Sequence, residues 1–348
     1  MRPVRKSIVL FTMFAGWGDN FCKELILKYK YVFGPVDSSR LGLSLGLDLL
    51  ADKICSFDCI YCEVGRTKVL TCERKPYVPA KDLLRELEVW KGEMRQAPDY
   101  VTLGGRGEPC LNSDLGEIIA GVREIFPDTP TAVLTNSSLL FDPQVREELA
   151  DADAVLPSLD TLVPKELKHL NRPHPDIDVE TLRSGLLKFR SGYGGRLFLE
   201  VLLVAGVNDT RENLSRLREF CLELKPDRVD VVTMTRPGTS RKAAPVGEDS
   251  LRLWREVLSQ AFGAAQPETS RRAKEHGDKV FAVEPSVLRE MIENSVSRRP
   301  QTAQMLAQAL AVPLKDVQAA LDTLAGQGKI KPQPSEREIF YASFKTKK

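Results

Sequence analysis

Short apolar runs and amphipathic stretches alternate along most of this chain. LGLSLGLDLL places a first strand around Leu43 to Leu49, and DYVTLGG, TAVLTN, ADAVLPSLD, RLFLEVLLVAG and RVDVVTMTRPG predict five more, the fifth strand being the most apolar. Between the runs the apolar spacing changes to a period of about 3.6 residues. Leu83, Leu84, Leu87 and Trp90 share one face of a helix over about Lys81 to Lys91, and Leu115, Ile118, Ile119, Val122 and Ile125 one over about Asp114 to Phe126. Asp142 with Pro143 predicts a third helix start, Asp178 caps a helix from Val179 to Phe189, and Asp209 with Glu212 reads as a capping box for a helix to Leu224. A further helix is expected near Ser250 to Phe262. KYVFGPVDSS, ahead of the first strand, reads as a turn-rich lead-in through Gly34, Pro35, Asp37, Ser38 and Ser39.

Six strands each followed by a helix imply parallel strands with right-handed crossovers. A closed barrel of this kind takes eight units, so the expected fold is α/β, an open (β/α)6 partial TIM barrel. Such barrels place their chemistry at the C-terminal ends of the strands. Polar residues collect there: a cysteine loop after strand one, GGRGEP after two, Thr135 and Asn136 after three, Ser158 and Asp160 at four, Gly206 to Asn208 after five, and Thr235 to Pro237 after six. The barrel is read over 27–264, preceded by an extension over 1–26 and followed by a charged linker over 265–280. Residues 281–348 predict helices near Val287 to Asn294, Thr302 to Leu310 and Leu314 to Gln327, then strands at KIKPQ and EIFYA, a pattern that resembles a small winged helix-turn-helix domain.

CSFDCIYC puts Cys55, Cys59 and Cys62 within eight residues. Structural zinc takes four closed ligands, whereas an iron–sulfur cluster takes one thiolate per iron. Three cysteines leave one iron of a four-iron cluster open to bind a substrate. The alternatives are a zinc knuckle completed by Cys72, or buried cysteines packing as small hydrophobes. Seven cysteines, unevenly spaced, are not a disulfide framework, which points to a reducing, cytoplasmic setting. Arg2, Arg5 and Lys6 before IVLFTMFAGW loosely imitate a signal peptide, but no small-residue cleavage site follows and the run is too short to span a bilayer. The formal net charge is only +2, so a nucleic-acid partner would need a local basic patch. With 42% apolar residues and a mean hydropathy of −0.23, the composition is that of a soluble globular protein. No G-x-x-x-x-G-K-[ST] occurs, which removes the phosphotransferase reading.

C-x3-C-x2-C with Tyr61 before the last cysteine resembles the cluster loop of the radical S-adenosylmethionine (SAM) superfamily. From YVFGPV through SSRLGLSLGLDLL, GGRGEP, LTNSSLL and LPSLD to MTRPG the order resembles a group related to the wyosine-base synthases, which act on tRNA. The resemblance implies a [4Fe-4S] cluster on Cys55, Cys59 and Cys62 as the catalytic metal centre. It also implies reductive cleavage of SAM to a 5′-deoxyadenosyl radical, and hydrogen abstraction from a substrate, with RNA as one class. Tyr61 would lie against the adenine. Gly104, Gly105, Gly107 and Glu108 would hold the methionine amino group, and Thr135, Asn136, Ser158 and Asp160 the ribose hydroxyls and the carboxylate. Arg236 and Arg40 are candidates for pairing a substrate carboxylate or phosphate. The electron donor would be external, a flavodoxin or ferredoxin. Archaeal members of that group hold a second cluster on extra cysteines before the loop, where this chain has only Cys22. Cys221 falls on a leucine face and reads as core, and His169 and His174 in HLNRPHPDID read as a polar loop.

Two other functions compete: a radical SAM enzyme acting on a peptide or protein, and a redox-sensing winged-helix transcription regulator. Against the regulator, the helix that would enter a DNA groove exposes Asp316 and Asp322 with only Lys315, and phosphates repel such a face. Residues 281–348 carry ten Lys and Arg against seven Asp and Glu, a local +3 on the wing and tail that suits RNA or protein contact better than sequence-specific DNA readout.

Overall fold

A computed structural model of the protein describes residues 29–38, 40–93, 97–259, 283–310, 312–334 and 338–343. The extension over 1–26 with Cys22, and the linker over 265–280, lie outside the described residues.

The strands of the larger part of the chain are β1 (Val32–Ser38), β2 (Gly42–Asp48), β3 (Ile54–Cys55), β4 (Val69–Leu70), β5 (Tyr100–Gly104), β6 (Thr131–Thr135), β7 (Ala154–Pro157), β8 (Arg196–Leu203) and β9 (Arg228–Thr233). β3 and β4 lie within the cysteine loop and form a small separate pair. The others make one mixed sheet in the spatial order β1-β2-β5-β6-β7-β8-β9. From β2 to β9 every pairing is parallel, as the alternation of strands and helices predicts. Among the described residues β1 and β9 are not paired, so the sheet is left open there.

β1 corrects the turn-rich reading of residues 31–39. Val32 pairs Leu47 and Val36 pairs Ser44 antiparallel, with the register slipping between Phe33 and Val36, where Gly34 and Pro35 sit. An edge strand carries partners on one side only, so Pro and a bulge are tolerated there. Glu86 secures the start of the strand, accepting the backbone N–H groups of Tyr31 and Val32 at 2.7 Å each.

Side-chain alternation separates two apolar layers. Leu45, Leu47, Val101, Leu103, Val133, Val155 and Leu199 pack outward in the main core beneath the helices, while Tyr100, Ala132, Leu134, Ala154, Leu156 and Phe198 cluster with Leu41 inside the barrel. The helices are α1 (Ala80–Glu93), α2 (Leu115–Ile125), α3 (Pro143–Leu149), α4 (Pro164–Leu170), α5 (Val179–Gly192), α6 (Arg211–Leu224) and α7 (Glu248–Ser259). Asp142 and Asp178 cap α3 and α5 as expected, accepting from Gln144 N and Thr181 N. At α6 the cap is Thr210, which accepts from Asn213 N, while Asp209 instead accepts from Gly206 N, so the expected capping box is displaced by one residue. α4 was absent from the pattern, because its seven residues span too few turns to show a period. Cys221 is fully buried in the main core.

Residues 283–343 add α8 (Pro285–Arg298), α9 (Ala303–Leu310), α10 (Leu314–Gly326) and a hairpin of β10 (Ile330–Pro334) with β11 (Ile339–Ser343). They have their own core of Leu288, Ile292, Val296, Leu306, Leu321 and Tyr341. This unit lies against the β1 side of the barrel: the Arg298 guanidinium stacks 4.6 Å over the Phe33 ring and donates to Lys30 O at 3.3 Å.

Candidate functional site

The three loop cysteines converge at the C-terminal ends of the strands. Cys55 is buried, and burial pushes its thiol up to about 11 despite the nearby Lys53 ammonium. Cys59 is held further above the usual thiol range by burial and then by Cys62 and Cys55. Burial pulls the Lys53 ammonium down, but Cys62 and Cys55 facing it leave its pKa raised. Three thiols that repel one another as thiolates, beside one buried cation, are a donor set that a positively charged metal centre would stabilise. Burial and then Asp176 push the Cys72 thiol up to about 11. Among the described residues no three His, Cys, Asp or Glu side chains group as the ligands of a single ion; a cubane, with one thiolate per iron, asks for wider spacing. The donor set fits an iron–sulfur cluster.

Beside the cysteines lies a hydrogen-bonded clamp. Asp160, 4% exposed, accepts from Tyr61 OH at 2.5 Å and Asn171 Nδ2 at 2.7 Å through Oδ2, and from Leu202 N at 3.0 Å through Oδ1. Burial raises the Asp160 carboxyl and these three donors pull it back. Asn171 also donates to Cys59 Sγ at 3.6 Å, linking the clamp to the cysteine loop. The Tyr61 ring packs in an apolar patch with Ile60, Leu202, Val204 and Met234, and the clamp on its hydroxyl holds it in one orientation at the mouth of the barrel.

GGRGEP stacks directly on the cysteine loop. A Cβ on Gly107 would sit 1.6 Å from Ile54 O, and Gly105 has φ +104° with Asp48 against it. Both glycines are thus required by backbone approach. Gly104 has no such crowding. Glu108, 1% exposed, accepts from Thr135 Oγ1 and Asn136 N at 2.6 Å each and from Cys110 N at 3.1 Å, tying this turn to the end of β6. Asn136 donates to Ser56 Oγ at 2.9 Å and Cys55 Sγ at 3.5 Å, and Ser158, half-buried, donates its N–H to Thr135 O. The site residues read from the sequence therefore do meet, but Glu108, Thr135 and Asp160 spend their polar atoms on neighbouring protein groups, positioning the loop.

Toward the lumen, charged side chains pair, Arg228 with Asp230 along β9 and the other two pairs between segments far apart in the chain. Arg40 pairs with Glu200, Arg228 Nη2 with Asp230 at 2.8 Å, and Arg236 Nη1 with Glu63 at 2.9 Å. Arg236 Nη2 also reaches Met305 Sδ at 3.6 Å, so it is not the solvated loop arginine its sequence context allows. Asp48, fully buried, lies between Arg106 at 3.2 Å and Arg298 at 3.6 Å. On the other flank of the cysteine loop, a hollow of about 990 Å³ is lined by Asp58, Leu70, Leu167, Arg172 and His174. His174 donates its N–H to Ser56 O within a polar loop.

Comparison with known proteins gives the family. The family model described as the Radical SAM superfamily matches residues 53–221, from Lys53 through Cys221. A UPF0026 protein of Synechocystis sp. is 40% identical over 210 residues, covering 59% of this chain and 76% of that protein. The chain belongs to the UPF0026 family of the radical SAM superfamily. A protein of Brachyspira hyodysenteriae named GTPase Obg is 32% identical over 318 residues, 91% of this chain, which spans only 45% of its length. The solved structure of TYW1 with a lysine-pyruvate adduct bound superposes with a TM-score of 0.48 at 16% identity, covering 70% of this chain and 82% of that one. Membership implies the cofactor pair of that superfamily, SAM and a [4Fe-4S] cluster. Among the described residues no helix is long and apolar enough to cross a membrane.

Lys53, Ser56, Glu63 and Asn171 escaped the sequence reading. Lys53 and Glu63 adjoin the cysteine loop and could have been taken with it. Asn171 stands between the two histidines of HLNRPHPDID, in a stretch whose polar residues all suit an ordinary loop.

Proposed function

We propose that Cys55, Cys59 and Cys62 hold the [4Fe-4S] cluster, that SAM binds between it, Tyr61 and the GGRGEP turn, and that the substrate enters the barrel lumen beneath. When bound, the cluster and SAM supply a 5′-deoxyadenosyl radical, which abstracts hydrogen from the substrate. The observation that carries this reading is the chain Cys59, Asn171, Asp160, Tyr61, which couples a loop thiol to an aromatic ring half-open at the barrel mouth. Phe57, the other aromatic of the cysteine loop, is buried in the main core and out of reach of an adenine. Lys53 holds positive charge against the thiolates, Glu108 and Asn136 brace the Cys55 side of the loop, and Asp160 orients the Tyr61 ring. Gly104, Gly105, Gly107 and Ser158 line the same strand ends, where backbone groups and the Ser158 hydroxyl meet the methionine and ribose parts of SAM, while Thr135 braces Glu108.

RNA modification is the substrate class we favour, with 281–348 read as a winged-helix-like domain that presents the substrate. Support comes from Lys331, exposed on the hairpin, and from Lys329 just before it, which is exposed but paired with Glu293. The exposed Asp316 and Asp322 of α10 weigh against a DNA-binding regulator. A cytoplasmic setting and a flavodoxin or ferredoxin donor accompany this reading. The test is anaerobic: reconstitute with iron and sulfide, add SAM and dithionite, and assay 5′-deoxyadenosine beside the triple Cys55→Ala, Cys59→Ala, Cys62→Ala variant. Product from the wild type alone is expected, and its rise on adding unmodified tRNA supports the RNA class. Stimulation by peptides but not tRNA would favour the protein-modifying alternative, and equal product from the triple variant would refute the cluster assignment.

A further inference from the structure

We propose that Arg299, carried by the C-terminal unit, joins Arg236 and Arg40 of the barrel in a pocket for a small anionic group of the substrate, a phosphate or a carboxylate. The inference rests on the reading above only in placing the substrate in the lumen. Arg299 directly follows α8, whose last residue Arg298 is fixed on Phe33 and near Asp48, and it precedes α9, whose Met305 touches Arg236. The turn bearing Arg299 is therefore held at both ends against the barrel. Arg40 and Arg236 each have a carboxylate partner, Glu200 and Glu63. Arg299 has neither a hydrogen bond nor an ion pair among the described residues, although it is half-buried, within electrostatic range of Arg236, Glu63 and Arg40, and six residues before the Met305 that touches Arg236. Arg236 Nε is likewise buried without a hydrogen-bond acceptor.

Guanidinium groups withdrawn from water without an anion are costly, and their planar fork matches carboxylate and phosphate oxygens. Burial, followed by the repulsion of Arg236, lowers the Arg299 pKa, which agrees with a site short of negative charge. Glu63 is the internal competitor: it neutralises Arg236 as Glu200 neutralises Arg40, and Arg299 is left for a ligand. The C-terminal unit thereby becomes part of the substrate site, and the barrel alone is incomplete.

The experiment is anaerobic calorimetric titration of the full, cluster-reconstituted chain with inorganic phosphate and, separately, with malonate. SAM is omitted, so a failure of SAM cleavage and a failure of anion binding are read independently. At least one of the two anions is expected to bind, phosphate indicating a phosphorylated substrate and malonate a carboxylate. Arg299→Gln should weaken that binding about tenfold or more, and Arg299→Lys should restore part of it. Glu63→Gln, at matched iron content, should tighten it, a gain that misfolding does not produce. Absence of binding of both anions to the wild type, unchanged binding in Arg299→Gln, or no tightening in Glu63→Gln would overturn the proposal.

Discussion

Replacing Tyr61 by Phe removes one atom from the clamp that holds the ring. Tyr61 OH lies 2.5 Å from Asp160 Oδ2, and the carboxylate is 4% exposed, so this is a short, charge-assisted hydrogen bond in a largely dry site. Bonds of this type contribute about 1.5–3 kcal/mol. In Tyr61→Phe, Asn171 and Leu202 N still satisfy Asp160, so the cost should fall near the lower end, about 2 kcal/mol. Asp160→Asn removes the charge that makes the bond strong and also relieves a burial penalty. Its amide, however, sets a donor against either Leu202 N or Asn171 Nδ2. The two substitutions together should therefore cost less than their sum, with a coupling of about 1 kcal/mol or more. Urea unfolding of the four proteins of the cycle, followed by tryptophan fluorescence from Trp90 and the buried Trp254, measures it. If Tyr61→Phe costs the same in the wild type as in the Asp160→Asn background, within about 0.5 kcal/mol, then the clamp does not hold the ring and the argument for Tyr61 as the adenine platform loses its structural basis.

Gly107→Ala should prevent the GGRGEP turn from seating on Ile54 O, since a backbone oxygen at 1.6 Å cannot move aside like a side chain; a cost of about 3 kcal/mol and reduced iron per chain after reconstitution are expected. Lys53→Gln removes a buried positive charge beside the loop thiols, so potentiometric titration should find the cluster harder to reduce; an unchanged or higher potential would show that Lys53 does not face it. Asp178→Ala should cost about 1 kcal/mol through loss of the α5 cap. The Thr181 hydrogen bonds hold the Asp178 pKa below its ordinary value of 3.8. Its contribution is therefore present above that pH and is lost as pH falls through the lower folded-state pKa, and the stability difference between wild type and variant should shrink only under strongly acidic conditions.

Much of the barrel was legible because its signals are local. Six apolar runs with helical stretches between them, together with the parallel-crossover rule, were enough for an open (β/α)6 sheet, and the side-chain periods named the core faces of α1 and α2. The failures have equally local causes. β1 was hidden because an edge strand accepts Gly and Pro, α4 because seven residues show no period, and the α6 cap because Asp209 and Thr210 are both competent caps and only the backbone geometry chooses between them.

The cysteine loop could be recognised from one stretch of sequence, since its three thiols lie within eight residues. The surroundings of that loop could not. Asp160 meets Tyr61 across a separation of 99 residues, Asn136 meets Cys55 across 81, and Arg236 meets Met305 across 69. Spacing along the chain carries no information about such pairs, because each strand delivers its C-terminal residues to a common mouth only after the sheet has curved. By itself the sequence determined the chemistry of the donor set and the alternation that builds the barrel. Tertiary structure alone decided which polar residues brace the loop, and which arginine of the C-terminal unit comes to lie beside Arg236 and Arg40, because both depend on where distant backbone segments come to rest.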